Sequence, residues 1–169
     1  MMLIFAYGSN MNINRLTQRV PSATKVSNVF LTGYKLMCNK VSRNDGSAKA
    51  NIEKSDIATD IVWGILFEID NNEKPMLDKA EGLGEGYNED CLTFTDENNL
   101  KHIAQVYIAD SKSINNCLVV YNWYKEFIVT GAIQNQLPAD YITQLQSIPC
   151  IPDPDEKRSE KNYSIMQGE

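Results

Sequence analysis

The chain reads as short apolar runs broken by turn signals, with helical spacing appearing only in brief stretches. Met2 to Tyr7 form an apolar run stopped by Gly8, the pattern of a buried strand. Asn12 to Val20 then places Ile13, Leu16 and Val20 at helical spacing before Pro21 closes the segment. Ser27 to Leu31 and Tyr34 to Asn39 are β-rich and separated by Thr32-Gly33, which predicts a tight hairpin. Ser42 to Ser47, containing Asn44-Asp45-Gly46, is a polar loop. Ile61 to Ile69 is too apolar for a one-sided strand and belongs at the centre of a sheet or barrel, where Gly64 signals a bulge or a close backbone approach.

The second half continues in the same manner. Asn71 or Asn72 is placed to cap a short helix over Glu73 to Ala80, with Pro75 tolerated in its first turn and Gly82 ending it. Cys91 to Thr95 and His102 to Ala109 alternate as paired strands around a turn at Asp96 to Asn99. Asn115 to Thr130 predicts a helix with Leu118, Tyr121, Tyr124 and Ile128 on one stripe and Gly131 as C-cap. Pro138 to Ile148 predicts another, with Tyr141, Leu145 and Ile148 inward. Residues 1–150 thus read as one domain, and 151–169 as a polar, proline-broken tail that is mobile or lies over the surface.

Composition narrows the function classes. The chain has 169 residues, 43% hydrophobic and 22% charged, enough for one domain with its own core. Its net charge is −6 and it has no long Lys/Arg run, so nucleic acid is not an expected partner. No stretch has the length of a membrane span or the build of a signal peptide, which leads us to expect a cytoplasmic protein that meets no membrane. Cys38, Cys91, Cys117 and Cys150 are widely scattered and His102 is the one histidine, so no metal site is expected and the thiols are expected to stay reduced.

The candidate chemistry lies in two places. A glycine turn between a strand and a helix presents free N–H groups, and Gly8, Ser9 and Asn10 sit in such a turn. A purely structural turn would look the same from four residues, but an anion pocket of this kind would suit a small acidic substrate. Glu81 falls at the end of a helix that follows the buried run Ile61 to Ile69, and desolvation against apolar walls readies a carboxylate for proton transfer near neutral pH. Most glutamates are simply solvated. Asp78, one turn earlier, is a weaker second acid. Tyr87, Tyr107 and Tyr124 stand near loop or strand ends and could offer hydroxyls to a ligand, although most tyrosines are amphipathic core residues. His102 has no acidic or hydroxyl partner in view, so Ser9 lacks an activating base.

Taken together, Phe5-Ala6-Tyr7-Gly8-Ser9-Asn10-Met11, Val62-Trp63-Gly64, Leu77-Asp78-Lys79-Ala80-Glu81-Gly82 with Gly86-Tyr87, and Gly131-Ala132 with Leu137-Pro138-Ala139-Asp140-Tyr141 resemble the γ-glutamylcyclotransferase family. The match runs in order from near residue 2 to about residue 148. The resemblance implies an α+β (mixed α/β) fold, a small partly open β-barrel flanked by short helices, often as a homodimer. It also implies release of 5-oxoproline and a free amino acid from a γ-glutamyl dipeptide, with no cofactor or metal. On the same basis Tyr7, Gly8, Ser9 and Asn10 would hold the α-carboxylate and α-amine end of the glutamyl group, and Glu81 would be the acid/base. Tyr107 would stand near the substrate, with Tyr87 and Tyr124 as looser correspondences. The loop Gly82-Leu83-Gly84-Glu85-Gly86 differs among members and shapes the pocket beside Glu81. A γ-glutamyl-amine or a γ-glutamylated biosynthetic intermediate could be the substrate instead, and a non-catalytic γ-glutamyl-binding module or an interaction protein are the rivals from other classes.

Overall fold

The computed structural model describes residues 1–168. Five strands form a closed barrel: β1 (Met2–Ala6), β2 (Thr24–Thr32), β5 (Ile61–Ile69), β6 (Tyr87–Asp96) and β7 (Lys101–Ala109), in the order β1-β5-β2-β6-β7. Between β2 and β5 the chain leaves the barrel to make a two-stranded antiparallel sheet of β3 (Tyr34–Val41) and β4 (Ala48–Lys54). Two seams of the barrel are thin. Strand β1 meets β7 in parallel at the single pair Ile4↔Gln105, and β2 meets β6 only at Val29↔Asp96 and Phe30↔Thr95.

Strand β5 is central, paired with β1 on one side and β2 on the other, which explains its unbroken apolar run. Ile65, Leu66 and Ile69 are fully buried, and Phe5 stacks on Phe94 inside the barrel with ring centroids 4.1 Å apart. Gly64 is a close approach, as expected: a Cβ there would stand 2.4 Å from the Ala6 carbonyl oxygen and 2.6 Å from the Phe5 ring.

Three expectations are corrected. Strands β2 and β3 are not a hairpin, because the Gly33 amide donates to the Asp60 carbonyl (2.8 Å) and its own carbonyl accepts from Ser55 (2.9 Å). Those bonds draw the β4–β5 connection between the two strands, so β3 pairs with β4 instead. The helix expected from Asn115 begins seven residues later as α3 (Asn122–Gln134). Residues 114–119 run along the small sheet, with Asn115 donating to the Asn39 carbonyl (2.8 Å) and Ala48 to that of Val119 (3.0 Å). Gly131 lies inside α3 and is not its cap. A Cβ there would meet Met11 and Asn12 backbone atoms at 2.6 Å, so the missing side chain lets α3 lie directly on the loop that follows β1.

The third correction concerns the C-terminal segment. After α4 (Ala139–Gln146) and a two-residue strand β9 (Cys150–Ile151) parallel to β8 (Val120–Tyr121), the segment expected to be mobile or to lie over the surface is laid against the domain, and its proline-broken reading gives way to the helix α5 (Glu156–Gln167). Asp155 caps α5 by accepting from the Arg158 amide (3.0 Å). Asp153, whose side chain is fully buried, accepts from Trp123 Nε1 (2.7 Å) and pairs with Arg158, which holds its carboxyl down at about pKa 2. The Asn14 amide reaches the Met166 carbonyl (3.0 Å) from α1 (Ile13–Arg19). A segment that reads as solvated is docked because its polar groups find partners far away in sequence. No helix among the described residues is long and apolar enough to cross a membrane.

Candidate active site

The first wall of the site is the turn after β1. Tyr7 and Gly8 leave the strand, Ser9–Met11 make one 3₁₀ turn, and Asn12 caps α1 by accepting from the Arg15 amide (3.2 Å). Among the described residues, the amides of Gly8, Ser9 and Asn10 donate to no protein group. Three donors therefore remain available in one short loop.

Glu81 closes the opposite side. It is the last residue of α2 (Lys74–Glu81), and Gly82 ends that helix in the left-handed conformation (φ 71°). The Glu81 side chain is 17% exposed. Its Oε1 accepts from Asn10 Nδ2 (2.7 Å) and from Arg19 Nη1 (2.6 Å), and the same Arg19 nitrogen donates to Asn10 Oδ1 (2.8 Å). The expected apolar walls are thus replaced by a guanidinium and an amide. Both bonds fall on one oxygen, and Oε2 has no hydrogen-bond partner among the described residues. The carboxylate is held in place with one oxygen free.

The tyrosines form the remaining walls. Tyr7 donates its hydroxyl proton to the Tyr107 carbonyl (2.6 Å), Tyr107 donates to Asp78 Oδ1 (2.6 Å), and Tyr87 donates to the Ala50 carbonyl. Tyr124 instead accepts from the Ala50 amide (3.0 Å) and keeps its own proton to give. Burial raises the pKa of all four, reinforced at Tyr107 by the bond to Asp78, so each is a neutral phenol. Of the three hydroxyls expected to meet a ligand, those of Tyr87 and Tyr107 spend their protons on the protein, as Tyr7 also does, and Tyr124 is the one that does not. Asp78, considered as a second acid, is bonded to Tyr107 and paired with Lys74 and lines neither the inner chamber nor the outer vestibule of the site.

All eight residues expected at the site line one inner chamber of about 40 Å³: Tyr7, Gly8, Ser9, Asn10, Glu81, Tyr87, Tyr107 and Tyr124, joined by Phe5, Ala6 and Ala50. Ser9, Glu81, Tyr87 and Tyr124 also border an outer vestibule of about 160 Å³. Arg15, Arg19, Lys40, Arg43, Lys49 and Lys79 line that vestibule against two carboxylates, Glu81 and Glu85. None of these cations is marked by a local motif. Lys40 and Lys49 stand directly opposite each other in the β3–β4 ladder, an arrangement visible only once the strands are paired. His102, expected to lack a partner, bonds Asp96 Oδ2 (2.9 Å) through Nε2 at the β6–β7 turn and takes no part in the site.

Residues 61–145 match the model of the AIG2-like family. The chain is 31% identical to gamma-glutamylcyclotransferase of Bos taurus over 86% of its own length and 78% of the bovine protein, and 28% identical to the Homo sapiens protein of the same name over the same shares. A solved structure named gamma-glutamyl cyclotransferase superposes with TM-score 0.88 at 26% identity, covering 99% of both chains. The sequence match extends over most of the chain and the superposition over nearly all of it, and the chain belongs to the γ-glutamylcyclotransferase family.

Proposed function

We propose that the protein cyclises γ-glutamyl amides, releasing 5-oxoproline and the free amino acid or amine, with Glu81 as the acid/base. The supporting observation is the carboxylate fixed by Arg19 and Asn10 through Oε1, with Oε2 unbonded and Glu81 lining the same chamber as Gly8, Ser9 and Asn10.

The reaction joins the substrate's α-nitrogen to its own γ-carbonyl carbon. The α-ammonium must first lose a proton, and Oε2 of Glu81 is the acceptor. Attack then places negative charge on the carbonyl oxygen, where the amides of Gly8, Ser9 and Asn10 and the Tyr124 hydroxyl can donate to it. When the bond to the leaving nitrogen breaks, the protonated Glu81 returns the proton there. Over a full turnover the α-nitrogen gives up two protons and the leaving nitrogen gains two, so one carboxylate relaying them singly is enough. Ring closure demands a folded glutamyl chain, and confining both its ends in a small rigid chamber supplies orientation.

Glu81→Gln preserves the shape of the side chain but cannot carry a proton. Release of 5-oxoproline from γ-glutamyl-alanine is expected to fall by about 100-fold or more. Turnover near wild type in a folded Glu81→Gln protein would remove this residue from the mechanism.

A further inference from the structure

The vestibule holds more positive charge than a simple dipeptide needs. Of its six cations, Arg19 is engaged by Glu81, Lys49 by Asp45 (2.8 Å) and Arg43 by Glu85 (3.4 Å). Arg15 bonds only the neutral Asn162 (3.0 Å), and Lys40 and Lys79 have no hydrogen-bond or carboxylate partner among the described residues. Three positive charges therefore face one small cavity in a protein whose overall charge is −6.

Lys40 is the most telling of the three. The residue is only 7% exposed, yet its ammonium has no hydrogen-bond or carboxylate partner among the described residues and sits over the Tyr87 ring, 4.7 Å from its centre, at a residue that lines both vestibule and chamber. Its course depends on Gly86, which has φ 148° and where a Cβ would stand 2.8 Å from Lys40 Cε. Lys40 also opposes Lys49 directly across the β3–β4 ladder, a like-charge pair that destabilises a sheet. The Tyr87 ring face offsets only part of the cost of burying a cation with no anion beside it, and facing two cations at each other adds to that cost. An anion entering beside Lys40 would relieve both costs.

We propose that the leaving group is itself acidic: the substrate class is γ-glutamyl conjugates of dicarboxylic amino acids, whose second carboxylate is received by Lys40 with Arg15 and Lys79. This rests on the inner chamber being the glutamyl site. A monocarboxylic leaving amino acid carries one negative charge into the vestibule, whereas a dicarboxylic one carries two and leaves far less positive charge unanswered.

The test compares γ-glutamyl-glutamate with γ-glutamyl-glutamine, near-isosteric substrates that differ in one charge, with γ-glutamyl-alanine as reference, by 5-oxoproline release. The wild-type protein is expected to favour γ-glutamyl-glutamate over γ-glutamyl-glutamine by about tenfold or more in kcat/KM. Lys40→Met is expected to bring that ratio close to one. Because the ratio is taken within one preparation, any loss of folded protein cancels. Release from all three substrates with a wild-type ratio near one overturns this proposal and leaves the cyclisation reading intact. An undiminished ratio in Lys40→Met also overturns it. No release from any of the three overturns both.

Discussion

The inner chamber and the vestibule share Ser9, Glu81, Tyr87 and Tyr124, yet they are built on opposite principles. In the chamber almost every polar side chain is already answered: Tyr7, Tyr87 and Tyr107 donate to protein acceptors, and Glu81 is gripped by Arg19 and Asn10. What remains open is a small set of backbone amides, the hydroxyl protons of Ser9 and Tyr124, and one carboxylate oxygen. In the vestibule the opposite holds, since Arg15, Lys40 and Lys79 have no carboxylate partner among the described residues. A chamber with its groups fixed suits a reaction that needs exact placement, and a vestibule with spare charge suits recognition of a partner yet to arrive.

Arg19 tests the chamber most severely. Arg19→Met removes the guanidinium that fixes Oε1 but leaves Glu81 in place, so the carboxylate loses its orientation and kcat is expected to fall about 100-fold. Single-turnover measurement of 5-oxoproline release at saturating γ-glutamyl-alanine would check this, with KM changing less than kcat because Arg19 acts through Glu81.

A smaller effect should follow from Gly131→Val. The added side chain would collide with the Met11 and Asn12 backbone and push the loop of Gly8 to Asn10 away from α3, costing about 2 kcal/mol. Thermal unfolding would report the loss. Charge discrimination measured on the surviving folded protein should persist, because Lys40 and Lys49 lie on the β3–β4 sheet and Lys79 on α2, none of them on α3 or the loop it packs against.

The smallest expected effect belongs to pH. Burial among Tyr121, Trp123 and Tyr124 pulls the Lys49 ammonium down to about pKa 8 against the opposing pull of its Asp45 bond, while Arg15 and Lys40 lower it further. Lys49 is therefore charged below pH 8 and loses its proton as pH rises through that value. The ratio of kcat/KM for γ-glutamyl-glutamate over γ-glutamyl-glutamine should decline roughly threefold between pH 7 and 9.5. Lys49 acts here through its charge opposite Lys40 and not as a receiving group. Taking a ratio removes the ionisation of the shared α-ammonium from the reading, and a flat profile would show that the Lys49 charge does not reach the carboxylate held at Lys40.

The contrast between the two regions is also a contrast in what can be read without coordinates. The turn at Tyr7 to Asn10 and the helix end at Glu81 and Gly82 each sit within a few residues of a strand or helix boundary, where local chemistry is strong. Gly82 stops α2 whatever surrounds it, because its left-handed backbone costs glycine little. The vestibule has no comparable marker. Arg15 and Arg19 come from α1, Lys40 and Lys49 from the two strands of the small sheet, and Lys79 from α2, and each taken alone resembles an ordinary solvated cation. Gly131 misled for a related reason. A glycine near a helix end suggests a cap, but this one is demanded by a neighbour more than a hundred positions earlier in the chain.

The amino-acid sequence alone determined the β1 strand, the central β5, the short α2 with its glycine stop, and the eight residues that line the inner chamber, because period, turn chemistry and the resemblance all act over short distances. Only the tertiary structure decided that β2 and β3 part company, that 156–167 is a docked helix, that Glu81 pairs with Arg19, and that six cations meet in one vestibule. Those outcomes depend on which surfaces come together when the core forms, and electrostatic contacts between residues far apart in sequence leave no periodic trace along the chain.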